Sequence, residues 1–183
     1  MKINKNLPNQ LTTLRMILVP VYVVLFLMGY MYIAGAVFII ASFTDFLDGN
    51  IARKYNLVSD YGKFADPVAD KILVLTAVIL FCEAGRVPGW SVVIMVSREI
   101  IVMALRNMAV LKNRVLAADI FGKIKTMLQM CALVLMHYDA LVSFFPTVSD
   151  VLYYASVFFT VLSGANYVIK NRDVISYETA DQN

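Results

Sequence analysis

The sequence predicts an all-α integral membrane protein, with six transmembrane helices and a short N-terminal amphipathic segment. Three observations carry this. Of 183 residues, 60% are hydrophobic and 16% charged, against about 45–50% and about 25% in an ordinary soluble domain, and the mean hydropathy is +0.72. The apolar residues gather into six runs, 11–29, 32–51, 66–85, 88–110, 119–138 and 148–170, each near the ~20 residues that a helix needs to cross the hydrocarbon core. Finally, of 16 lysines and arginines all but Arg86 fall at the termini or near the second-to-third and fourth-to-fifth connections. The positive-inside rule makes that side cytoplasmic.

Backbone polar groups in lipid must bond within their own segment, so the six runs are helices. The first is preceded by Leu7-Pro8-Asn9-Gln10-Leu11, where Asn9 is an N-cap candidate and Leu7, Leu11, Leu14 and Leu18 form one apolar stripe. Ala34-Gly35-Ala36 has the look of a signal-peptidase site, but the apolar stretch before it is too long for a signal peptide and further spans follow. Residues 1–170 read as one six-helix membrane domain and 171–183 as a polar cytoplasmic tail. Cys82 and Cys131 each lie in an apolar run and read as packing residues. No zinc-finger spacing or basic stripe points to nucleic acid. Trp90 reads as an interfacial anchor on the outer side, and His137, at the outer end of the fifth run, as structural.

The second and third runs hold the chemistry. The chain reads Asp45-x-x-Asp48-Gly49-x-x-Ala52-Arg53, then eight residues, then Gly62-x-x-x-Asp66-x-x-x-Asp70. On a helix, Asp45, Asp48, Gly49, Ala52 and Arg53 share a face, as do Gly62, Asp66 and Asp70. If the two helices are neighbours, four carboxylates converge at the cytoplasmic boundary, where their charge needs compensation. Hard oxygen donors without His or Cys favour Mg²⁺ or Mn²⁺, and four carboxylates can hold two such ions, an arrangement suited to displacement at phosphorus. Gly49 and Ala52 leave the face open to a ligand, and Arg53 offers a planar fork to phosphate. Taken singly, Asp66 before Pro67 reads equally as an N-cap, Asp45 or Asp48 as a boundary charge, and Gly62 as a turn glycine.

The whole pattern resembles the motif of the CDP-alcohol phosphotransferase family, D-x-x-D-G-x-x-A-R-x8-G-x-x-x-D-x-x-x-D, at every fixed position and in the spacer. The six-run layout is similar to that family over nearly the whole chain. The resemblance implies the CDP-alcohol phosphotransferase fold, a homodimer, and an enzyme that cleaves the pyrophosphate of a CDP-linked lipid. It implies metal ligation by Asp45, Asp48, Asp66 and Asp70, with Asp70 also the base toward the acceptor hydroxyl. It further implies contacts from Asp48, Gly49, Ala52, Arg53 and Gly62 to the CDP moiety.

The acceptor is read from a second cluster. Arg98, Glu99 and Arg106 interrupt the fourth run, with Arg98 and Arg106 at i and i+8, and the fifth opens with Gly122-Lys123-Ile124-Lys125-Thr126-x-x-Gln129. Arginines inside a span face a polar cavity or an anion, although Arg106 also suits snorkelling and Lys125 suits lipid headgroups. Arg98, Arg106, Lys123 and Lys125 beside a metal site fit an acceptor that carries a phosphate, such as glycerol 3-phosphate. These stretches, with Asn6 to Arg15, are similar to the branch of the family that makes phosphatidylglycerophosphate in bacterial inner or plasma membranes. CDP-diacylglycerol is then the donor. The alternatives are the same chemistry on phosphatidylglycerol or an inositol compound, and a divalent-cation transporter.

Overall fold

The computed structural model describes residues 7–55, 60–111, 116 and 119–172, with side chains for all of these except 7–11, 45–55, 60–67 and 70. Among the described residues the chain forms six helices: α1 (Leu7–Leu27), α2 (Met31–Tyr55), α3 (Asp60–Glu83), α4 (Gly89–Leu111), α5 (Ile120–His137) and α6 (Phe145–Lys170). No strand occurs among the described residues.

Several boundaries differ from the sequence expectation, each for a local reason. The amphipathic segment and the first run are one continuous helix, α1, starting at Leu7. It stops at Gly29, whose φ of +80° is a left-handed conformation that glycine adopts without cost. Helix α3 begins at Asp60, six residues before the apolar run, so Asp66 is not an N-cap and Gly62, Asp66 and Asp70 all occupy helical positions. Asn9 lies inside α1 and so is not its N-cap, and the tail beyond Arg172 lies outside the described residues.

Among the described residues, α5 and α6 are long and apolar enough to cross a membrane, while α1 and α2 carry shorter apolar stretches, Thr12–Leu27 and Met31–Thr44. Helix α4 misses on charge, because Arg98, Glu99 and Arg106 fall within its span. Val93, Ile100, Ile101 and Val110 nonetheless face outward.

The closest packing is between α5 and α6 and between α1 and α2; α3 touches α1, α2, α4 and α5, and α4 leans on α6. The apolar core centres on His137, ringed by Phe81 at 4.8 Å, Phe38 at 5.6 Å, Tyr22 at 5.6 Å and Phe26 at 6.1 Å between ring centroids. Its Nδ1 lies 2.7 Å from the Leu133 carbonyl, which only accepts, so Nδ1 carries the proton and Nε2 accepts from the Tyr22 hydroxyl at 3.0 Å. Four helices thus meet on one neutral imidazole, and Gly35 makes room: a Cβ there would sit 2.7 Å from the Cβ of His137.

Arg86, the basic residue that departs from the charge asymmetry, sits between α3 and α4. It donates to Asp139 at 2.8 Å, to Asp150, to Ser149 at 2.9 Å and to the Pro146 carbonyl at 3.2 Å. Burial works against its charge, but the hydrogen bonds and charges of Asp139 and Asp150 outweigh it and raise its pKa. This clamp ties the α3–α4 connection to the α5–α6 connection.

Candidate active site

Helix α4 supplies the centre of the polar cluster. Glu99 is buried at 8% exposure, a state that a carboxylate tolerates only when paired. It has three cations around it: Lys125 Nζ at 2.7 Å, Arg98 Nη1 at 2.9 Å and Lys71 Nζ at 3.8 Å. These come from α5, from α4 itself and from α3, so one carboxylate joins three helices. Lys71 directly follows Asp70 in the chain, which ties the hub to the helix carrying the second half of the aspartate motif.

Beside this hub lies a cavity of about 570 Å³, walled by Arg98, Arg106 and Lys123 with Glu99, Asp119 and Lys71. Four cations face two carboxylates there, which favours an anionic occupant. Arg98 Nε donates to Ser163 Oγ at 3.2 Å, and Arg106 Nε donates to the Tyr167 hydroxyl at 3.2 Å while its guanidinium lies 5.8 Å from the Tyr167 ring centroid. Two glycines give Arg98 its space: a Cβ at Gly122 would lie 2.9 Å from Arg98 Nη2, and one at Gly164 would lie 3.1 Å from its Cγ.

Of the predicted acceptor residues, Arg98, Arg106 and Lys123 are brought to one cavity. Lys125 is placed differently from a headgroup contact: it is 4% exposed and bonded to Glu99. With Glu99 it walls a separate chamber of about 70 Å³. Asp45, Asp48, Gly49, Ala52, Arg53, Gly62, Asp66 and Asp70 occupy helical positions on α2 and α3, and those two helices touch; their side chains lie outside the described residues. Among the described residues no group of three or more His, Cys, Asp or Glu is set to hold a metal.

The helix α6 partners, Ser163, Gly164 and Tyr167, were not singled out from the sequence. One signal was present: Ser149, Tyr153, Ser156, Thr160, Ser163 and Tyr167 recur at steps of three and four and make up much of the buried face of α6. A small and polar stripe in an apolar helix marks an interior face.

Comparison with known proteins agrees with the motif. Residues 5–162 match the family model described as CDP-alcohol phosphatidyltransferase. The chain is 40% identical over 189 residues to a CDP-diacylglycerol–glycerol-3-phosphate 3-phosphatidyltransferase of Bacillus subtilis (strain 168), covering 93% of this chain and 97% of the relative. It is 35% identical over 173 residues to the protein of the same name from Rickettsia prowazekii (strain Madrid E), covering 91% and 96%. It is also 35% identical over 171 residues to a probable phosphatidylglycerophosphate synthase of Mycobacterium tuberculosis (strain ATCC 25618 / H37Rv), covering 90% and 81%. With the aspartate motif complete on two touching helices and the match spanning almost all of its length, the chain belongs to the CDP-alcohol phosphatidyltransferase family.

Proposed function

We propose that the protein transfers the phosphatidyl group of CDP-diacylglycerol to glycerol 3-phosphate, giving phosphatidylglycerophosphate and CMP. The observation that carries this is the convergence of Arg98, Arg106 and Lys123 on one cavity, joined through Glu99 and Lys71 to the motif helix α3. A phosphate on the acceptor is what such a cavity suits, and the three relatives are named for this transfer or for its product.

The four motif positions offer carboxylates alone, without His or Cys, a donor set that fits a hard divalent cation such as Mg²⁺ or Mn²⁺. Asp45, Asp48, Asp66 and Asp70 would hold it, two ions in all. Bound there, it supplies neutralisation of the charge that develops on the pyrophosphate oxygens. Asp48, Gly49, Ala52, Arg53 and Gly62 take the CDP moiety. Arg98, Arg106 and Lys123 hold the acceptor phosphate, with Lys125 acting one step back, through Glu99. Asp70 takes the proton from the primary hydroxyl, whose oxygen attacks the lipid-linked phosphorus; the bond to CMP breaks, and CMP carries away the electron pair. Positioning supplies much of the rate in such a transfer.

All six helices lie across the inner or plasma membrane, with both termini and the site cytoplasmic, and two copies associate. Residues 1–170 act as the catalytic domain, with 171–183 as tail. The test is CMP release by purified protein with CDP-diacylglycerol, Mg²⁺ or Mn²⁺ and a panel of acceptors. Glycerol 3-phosphate is expected to be used at least tenfold better than phosphatidylglycerol or an inositol compound. No CMP with glycerol 3-phosphate, or a better rate with another acceptor, overturns the assignment.

A further inference from the structure

One turn deeper than Lys125 on α5, Gln129 is 1% exposed, and its Nε2 donates to Met95 Sδ at 3.3 Å. Its Oε1 is buried with no hydrogen-bond partner. Exchanging the two amide atoms would set the oxygen against a sulfur that only accepts, so the nitrogen belongs on Met95 and Oε1 is the atom left over. One polar atom of a buried amide is then unanswered, an arrangement that native interiors avoid unless something else completes it.

Gln129 lines the chamber of about 70 Å³ beneath the Glu99 hub, together with Lys71, Glu99, Lys125 and Thr126. That volume matches roughly two waters at ~30 Å³ each, or one hydroxymethyl group. It shares Lys71, Glu99 and Thr126 with the cation-lined cavity, so the two hollows adjoin along these three side chains. The chemistry of the walls selects the substituent. A metal ion is disfavoured by the ammonium groups of Lys71 and Lys125. A phosphate belongs with Arg98, Arg106 and Lys123 of the larger cavity, not against an amide oxygen that only accepts. The Thr126 hydroxyl already donates to the Gly122 carbonyl at 3.0 Å, so it offers lone pairs and no proton. A neutral group that both donates and accepts fits the chamber, and a hydroxyl is the smallest.

We infer that Gln129 is a specificity-determining residue which takes a non-reacting hydroxyl of a polyol phosphate acceptor. This rests on the proposed use of glycerol 3-phosphate, whose secondary hydroxyl is not consumed. A site built to bond a hydroxyl rejects the analogue lacking it far more strongly than a shape-only pocket does.

The experiment compares kcat/KM for glycerol 3-phosphate and for 3-hydroxypropyl phosphate, which lacks only the secondary hydroxyl. The wild-type enzyme is expected to prefer glycerol 3-phosphate at least tenfold. Gln129→Met, which keeps the volume and can pack on Met95, is expected to bring that ratio below threefold. Should Gln129→Met fail to accumulate folded, Gln129→Asn, whose amide stops one methylene short, is read in the same way. A wild-type ratio near one overturns the inference, as does a variant that slows both acceptors equally and leaves the ratio unchanged. If wild-type protein releases no CMP with glycerol 3-phosphate, the functional reading fails and this inference with it; if glycerol 3-phosphate is used and only the ratio fails, the functional reading stands.

Discussion

At Glu99 a single buried carboxylate answers Lys125, Arg98 and Lys71 within 2.7 to 3.8 Å. Removing one member of a buried ion pair strands the others and costs about 3–5 kcal/mol. Glu99→Gln is therefore expected to lower the thermal midpoint in detergent clearly, and adding Lys125→Met should recover part of the loss, since Lys125 is the most buried of the three cations. A double variant no more stable than Glu99→Gln alone shows that the Glu99–Lys125 pair is not what the carboxylate holds together. Asp70 is instead the proposed base. General bases contribute about 10²- to 10⁴-fold, so Asp70→Asn should reduce CMP release by at least a hundredfold without moving the thermal midpoint. A near-wild-type rate removes Asp70 from the role of base.

The helices are placed by small residues, and two glycines separate packing from function. At Gly35 an added Cβ meets His137 Cβ at 2.7 Å, an atom fixed to its own backbone, so α2 and α5 must move apart. Overpacking of this kind costs about 1–3 kcal/mol. Gly35→Ala should lower the thermal midpoint and leave the KM for glycerol 3-phosphate near its wild-type value. At Gly164 the added Cβ meets Arg98 Cγ at 3.1 Å, within a side chain that can turn aside and carry its guanidinium out of place. Gly164→Ala should raise that KM severalfold with a smaller change in stability. The reverse pattern, stability lost at Gly164 and affinity lost at Gly35, contradicts the reading of both positions. The sequence periodicity gave six helices and placed both halves of the aspartate motif on α2 and α3, because apolar length and helical spacing are local properties. It also singled out Arg98, Arg106 and Lys123, since charge inside an apolar run is conspicuous. It did not find Ser163, Gly164 and Tyr167 beside them: Arg98 and Ser163 are 65 residues apart, and only packing of α4 on α6 brings them together. Lys125 was misplaced for a related reason, because spacing along α5 does not reveal which neighbour covers it.

At the scale of the whole molecule, α6 shows burial opposite to that of a helix in a soluble protein. Ser149, Ser156, Thr160 and Ser163 of α6 are fully buried, while Val151, Phe158, Val161 and Ile169 of the same helix face outward. The hydroxyls of Ser156, Thr160 and Ser163 donate to carbonyls three or four residues earlier, at 2.6, 2.7 and 3.2 Å, so these three α6 hydroxyls are satisfied within their own helix. An apolar outer face and a bonded polar inner face on one helix is what a hydrocarbon solvent requires. The Arg86 clamp and the Glu99 hub lie at different heights along α3, with Lys71 near the start of the described side chains and Arg86 just beyond the helix end. Arg86 is a single basic residue at its end of the bundle, and the excess of the remaining lysines and arginines read toward the opposite end outweighs it. The proposed orientation then makes a direct prediction. In a background where Cys82 and Cys131 are replaced by serine, Ser143→Cys, on the exposed α5–α6 connection, should react with a membrane-impermeant maleimide on intact cells. Gln182→Cys, in the tail, should react only after the membrane is opened. Labelling of Gln182→Cys on intact cells would turn the bundle over, placing the cation-lined cavity on the side of the membrane away from CDP-lipid synthesis.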